Sequence, residues 1–229
     1  MTLATTHNPF DIKDKINITK YKPVNLMIGS LLNQVSGLTI LGNIYKHNDT
    51  LSQSNTPDSF MRQALRLLNI HYQVLSGSSA SVQEHKGLII VANHPFGGID
   101  GLILGQLIRQ VRRDVKILAN SYLKNIPALE SLFIDVDPIN KKASMQKNAT
   151  SLKQAIRHVR DGGCLIVFPA GEVSHLKLRE KLIIDSELNI TIAKLVKLTH
   201  SPVLPVYFHG ANSLSFQLLG LISPWLRTL

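Results

Sequence analysis

From Gly87 onward, short, mainly apolar runs alternate with stretches in which apolar residues recur every third or fourth position. Residues 87–92 (Gly-Leu-Ile-Ile-Val-Ala) form the first such run, and 115–119, 132–136, 165–168 and 203–208 repeat the pattern. Runs this short and rich in β-branched residues predict strands buried on both faces. Among the intervening stretches, Met145, Ala149, Leu152, Ile156 and Val159 share one helical face, and Gly162-Gly163 supplies the stop. A second helix is predicted over 191–198. Upstream, Thr56-Pro57-Asp58 reads as a helix start, with a capping hydroxyl and a proline in the first turn. Phe60, Ala64, Leu67 and Leu68 give that helix an apolar face, and it should run to Asn69. Strand alternating with helix implies an α/β fold: a largely parallel sheet, right-handed crossovers, helices on both faces, and extra N-terminal helices before residue 60.

Two stretches are free of charge, residues 24–45 and 203–226, but asparagines, glycines and prolines interrupt both, so neither reads as a membrane span. Each is either ordinary core or a shallow contact with a membrane surface. The 229 residues suit one domain with an N-terminal appendage: a helical, membrane-associated segment over 1–55 and the main domain over 56–229. Lysine and arginine exceed the acidic residues by ten, which favours a negatively charged partner. Most of the excess lies in residues 101–160, where Arg109, Arg112, Arg113, Lys116, Lys124, Lys141, Lys142, Lys147, Lys153, Arg157 and Arg160 face four acidic residues. Only Tyr122 and Phe133 are interleaved there, too few aromatics for a nucleic-acid surface. Anionic lipid or an acidic carrier protein suits the segment better. The alternative is a set of ordinary solvated helix faces.

Cys164 is the sole cysteine, which excludes an internal disulfide and reads as a small core residue. The start MTLATTHNPFDIKDK lacks the basic-then-apolar pattern of a secretory signal, so the cytoplasm is the expected compartment. His175, His200 and His209 lie on separate segments without ligand spacing, and no metal is expected.

Ligands of parallel sheets bind beyond the carboxyl ends of the strands. The first strand leads into Asn93-His94-Pro95-Phe96-Gly97-Gly98-Ile99-Asp100-Gly101, delivering a histidine and an aspartate together. A neutral imidazole there can take a proton from a hydroxyl while a carboxylate on its other nitrogen sets the tautomer. Gly-x-Ser-x-Gly is absent, so the attacking group must come from the substrate. The competing account makes His94 and Asp100 helix caps around a tight glycine turn. Asn93 either orients the loop or touches substrate.

Asn93-His94 with Asp100, then Phe168-Pro169-Ala170-Gly171-Glu172 and Pro202-Val203-Leu204-Pro205-Val206, resemble the glycerolipid (lysophospholipid) acyltransferase family over about residue 60 to the end. NHPFGGIDG, FPAGEVS and PVYFHGANS resemble more narrowly its hemolysin-like bacterial branch, which includes the O-acyltransferase part of ornithine-lipid synthases. The resemblance implies a glycerol-3-phosphate acyltransferase-like fold with His94 as general base and Asp100 as its support. The acyl donor would be a thioester of coenzyme A or acyl carrier protein, with no cofactor beyond that. Asn93, Phe96, Gly97, Gly98, Phe168, Pro169, Gly171, Glu172 and Ser174 become the expected substrate-binding residues. The family's usual spacing places four residues between His and Asp, whereas here Pro95 to Ile99 make five, and the Gly97-Gly98 pair can loop out the extra one.

Members that acylate glycerol phosphates carry an arginine after the third strand and another in Phe-Pro-Glu-Gly-Thr-Arg. Here those segments read Phe133-Ile134-Asp135-Val136-Asp137 and Phe168-Pro169-Ala170-Gly171-Glu172-Val173-Ser174, with no arginine in either. Asp135, Asp137 and Glu172 place carboxylates where a phosphate binder wants cations, which favours a lyso-ornithine lipid as acceptor. Lys177 and Arg179 remain alternative phosphate contacts, so 1-acylglycerol-3-phosphate stays open as acceptor. A non-catalytic membrane-binding module with the same fold is the third reading. The expected site of action is the cytoplasmic face of the membrane, with peripheral or monotopic attachment to lipids. The relatives can carry an N-acylating domain downstream, so this chain can be the N-terminal part of a longer protein.

Overall fold

The computed structural model describes residues 56–78, 80–83, 85–120, 126–136 and 145–222. The helices expected before residue 56, the stretch at 24–45, Asp137, Lys124, Lys141 and Lys142 lie outside the described residues, as does the end of the chain from residue 223. Helix α1 spans Pro57–Leu67 and is capped as its sequence predicts, with Thr56 Oγ1 accepting the Ser59 N–H at 3.3 Å. A single short turn, α2 (Ala80–Gln83), precedes strand β1 (Leu88–Ala92). There follow α3 (Gly98–Arg109), β2 (Val115–Asn120), a 3-10 helix (Pro127–Leu132), β3 (Phe133–Val136), α4 (Met145–Arg160) and β4 (Cys164–Val167). Two short strands, β5 (His175–Lys177) and β6 (Leu182–Ile184), pair as an antiparallel hairpin before α5 (Ile190–Thr199), β7 (Val203–Val206) and α6 (Leu214–Ile222).

The main sheet has the order β3-β2-β4-β1-β7, and every neighbouring pair in it is parallel. Alternation along β1 shows why its run is wholly apolar. Leu88, Ile90 and Ala92 face a cluster with Phe60, Met61, Leu104 and Leu129, from α1, α3 and the 3-10 helix. Ile89 faces Ala155, Val159 and Leu195, from α4 and α5, on the other side. Burying side chains of this size is worth about 1.5–3 kcal/mol each, so the two-sided cover is the main source of the sheet's stability.

Some faces differ from the periodicity reading. Met61 and Leu65 of α1 are buried while Leu67 is 39% exposed, and in α4 Ala149 is exposed whereas Ser151 is buried. Neither helix presents its whole apolar set to the sheet. Strand β7 is half exposed because it lies at the edge, and Pro205, lacking an N–H, fits that position. Residues 214–222, within the uncharged stretch that glycines and prolines interrupt, form one helix.

Several members of the basic segment are ties within the protein. Arg109 forks onto Asp58 at 2.6 and 3.3 Å, and Arg113 joins it, fixing α1 to α3. Arg112 pairs with Asp114 at 2.8 and 2.5 Å and donates to the carbonyls of Val82, His85 and Gly162. Arg160 donates to the Leu198 carbonyl at 2.7 Å. Cys164 is fully buried in β4, which pushes its thiol up to about 12.

Candidate active site

β1 ends at Ala92 with its carboxyl end open, and the chain turns there through residues 93–97 into α3. Gly97 caps α3 with a φ of +67°, a conformation that costs glycine least, and its carbonyl accepts the Asp100 N–H at 3.0 Å. That turn folds Asp100 back beneath His94. His94 Nδ1 lies 3.1 Å from Asp100 Oδ2, and the same oxygen accepts the Phe96 N–H at 2.8 Å. With Asp100 ionised, Nδ1 is the donor and Nε2 keeps its lone pair for a substrate.

Asp100 is wholly buried, and burial raises its carboxyl above the ordinary range, opposed by its hydrogen bond to His94. Its Oδ1 is buried without a hydrogen-bond partner. A carboxylate held dry in this way is costly to keep, unlike one serving only as an exposed helix cap. The Phe168 ring stacks on the imidazole, centroids 4.2 Å apart at 27°, and so covers one face of it.

The other residues expected to bind substrate make contacts within the protein. The Asn93 amide donates to the Phe208 carbonyl at 2.9 Å and accepts the Phe208 N–H at 2.7 Å, so it orients the loop. Phe96 packs where a side chain on Gly210 would sit, 2.7 Å from its ring. Pro169 is buried, with its carbonyl accepting the Asn189 N–H, and Gly171 closes a turn onto the Phe168 carbonyl at 3.1 Å. Glu172 accepts the Ser186 hydroxyl. Ser174 is buried, and its N–H donates to the His94 carbonyl at 2.9 Å.

Asp185, which sequence reasoning missed, stands at the end of β6. Its Oδ1 accepts the Ser174 hydroxyl and the His94 N–H, the latter at 3.4 Å. Nothing local to Asp185 signals this, since 91 residues separate it from His94. Asp135, in contrast, lies on β3, three strands from β1 and therefore about 14 Å away across the sheet. Lys177 and Arg179 lie further along the hairpin than Ser174, Arg179 in its turn. Among the described residues no group of three or more His, Cys, Asp or Glu is arranged to hold a metal ion, and His175, His200 and His209 stand apart on β5, after α5 and after β7.

The arrangement can take a proton from a hydroxyl brought to His94 Nε2, on a base whose ring is fixed by a buried carboxylate and an aromatic plate. Comparison with known proteins bears on what that hydroxyl belongs to. Residues 74–209, more than half of the chain, match the model of the family described as Acyltransferase. The chain is 33% identical over 134 residues to a lyso-glycine lipid O-acyltransferase of Phocaeicola vulgatus, covering 58% of this chain and 46% of that protein. A lyso-glycine lipid O-acyltransferase of Bacteroides thetaiotaomicron is 36% identical over 125 residues, 54% of this chain and 43% of its own length. The matched stretch thus spans a little under half of each relative. With the strand-end histidine, the parallel sheet and the family match together, the chain belongs to the acyltransferase family.

Proposed function

We propose that this chain moves a fatty acyl group from a thioester of acyl carrier protein or coenzyme A to the hydroxyl of a lyso-lipid built on an amino acid. The observation that carries the reading is the contact between His94 and the buried Asp100. In the reaction His94 Nε2 takes the hydroxyl proton as the oxygen attacks the thioester carbonyl. The tetrahedral intermediate collapses, the carbon–sulfur bond breaks, and the imidazolium returns the proton to the departing thiolate. Asp100 holds the ring and offsets its charge. The N–H groups of Gly97 and Gly98 at the open end of α3 are the donors for the developing oxyanion, since the Asp100 and Phe96 N–H groups are already engaged. No enzyme-bound acyl intermediate and no metal or redox cofactor enter the scheme.

An amino-acid lipid fits the curated relatives and the absence of arginine from both motif segments. The more specific reading is a lyso-ornithine lipid, whose side-chain amine suits Asp185 and Glu172; Asp135 is too far across the sheet to contribute. Glycine has no side chain, so the two acceptors differ in the group those carboxylates would recognise. The lipid substrate implies peripheral attachment to a membrane, on its cytoplasmic face. No helix among the described residues is long and apolar enough to cross one.

The test offers lyso-ornithine lipid, lyso-glycine lipid and lysophosphatidic acid in parallel, with both thioesters, to the wild type, His94→Ala and Asp100→Asn. Ester formation on the amino-acid lipids, reduced about 10²–10⁴-fold in both variants, is the expected result. A preference for lysophosphatidic acid would remove the amino-acid acceptor, and transfer undiminished in His94→Ala would remove the mechanism. Binding of lipid without transfer would leave the non-catalytic module.

A further inference from the structure

Among the described residues strand β6 pairs only with β5, and Leu182, Ile183 and Ile184 are all exposed. Leu178 in the turn is 67% exposed, and beyond the hairpin Leu188 and Ile190 stand out by 68% and 70%. A two-stranded hairpin is marginal in water by itself, and so many large apolar side chains exposed in one short segment point to a contact. Within the hairpin these residues are interleaved with Lys177, Arg179 and Lys181 against Glu180, whereas Asp185 and Glu187 follow between its end and Leu188.

We propose that the β5–β6 hairpin is the element by which this chain docks on an anionic bilayer, a proposal that rests on the reading of its acceptor as a lipid. Charge complementarity selects the occupant. Apolar side chains alternating with cations match the boundary between acyl chains and anionic headgroups, where each lysine or arginine adds electrostatic attraction. Long cationic side chains reach the headgroups while their stems lie among apolar neighbours. Position gives the surface its purpose. Both legs of the hairpin hang from His94, through the Ser174 N–H on its carbonyl and the Asp185 carboxylate on its N–H. A lipid leaving the bilayer under the hairpin is therefore already beside the base.

The full chain is sedimented with phosphatidylcholine vesicles, with and without phosphatidylglycerol, as wild type, L178S/L182S and R179E/K181E. Leu67→Ser, at an exposed leucine on α1, serves as the control. Binding to the anionic vesicles is expected to fall about tenfold or more in both hairpin variants and to hold in the control. A Leu182→Trp variant in a Trp225→Phe background keeps the apolar character and should shift its emission to the blue on adding anionic vesicles. Unchanged binding in the hairpin variants, or no shift, overturns the proposal. So does a wild-type dimer that L178S/L182S converts to monomer, because the surface would then be covered by a second copy. Transfer separates this from the parent reading: L178S/L182S should lose transfer to vesicle-embedded acceptor yet keep it with detergent-dispersed acceptor. Hairpin-dependent binding without transfer in either form would sink the acyltransferase reading while leaving the docking surface in place.

Discussion

Leu88-Ile89-Ile90 in β1 and Leu182-Ile183-Ile184 in β6 are the same three residues in the same order, and they meet opposite fates. The first triplet is buried to within 1% of completely, while the second is exposed throughout. Composition and β propensity are identical, so they do not decide burial. Neighbours do: β1 has a strand on each side and helices on each face, whereas among the described residues β6 has β5 alone. The same side chains thus serve cohesion in one place and present a surface in the other.

That contrast can be broken at several points. Ile90→Ala opens a cavity between α1, α3 and the sheet, and urea unfolding should show a loss of about 2–5 kcal/mol. Arg112→Met should cost about 2–3 kcal/mol in the same measurement, because three backbone carbonyls and Asp114 lose a charged donor at the foot of β1 and β4. The next effect concerns α1, which covers one face of the triplet. Arg109 beside Asp58 holds its carboxyl below the usual carboxylate range. The folded pKa is thus depressed, so this contribution is present above the unfolded value near 4 and disappears as pH falls through the lowered folded value. Asp58→Asn should flatten the acid limb of the stability profile by at most about 1 kcal/mol. Ile183→Ser in β6 should be neutral within about 0.5 kcal/mol, and a larger loss would show that the hairpin is packed in solution.

The same contrast explains how much could be read beforehand. β1 and β4 are covered on both faces, so an unbroken apolar run was a true sign of each, and the cap at Thr56 and the stop at Gly162 lie in the local chain. The hairpin was missed because its turn, Leu178 to Lys181, lacks a typical hairpin turn sequence, with Lys181 itself taking a φ of +55°. Its strands are also only three residues long. α6 was missed because Gly220, with Gly210, Asn212 and Pro224 around it, reads as a breaker. At the site, His94 and Asp100 are close in the chain and their meeting was legible. The partners of Asn93 and His94 at Phe208 and Asp185 lie 115 and 91 residues away, where one sequence carries no signal of contact.

The Asn93 clamp also bears on the one residue by which this loop exceeds the usual family spacing. Asn93 is moored to Phe208 at one end of the loop, and Asp100 is built into α3 at the other. Between two such abutments, span and contour length are separate quantities. Six residue steps of extended chain reach about 20 Å, far more than a loop folded tightly enough to bring His94 and Asp100 within 3.1 Å requires. The arc between the moorings has slack to spare, and an added link changes its sag without moving either pier.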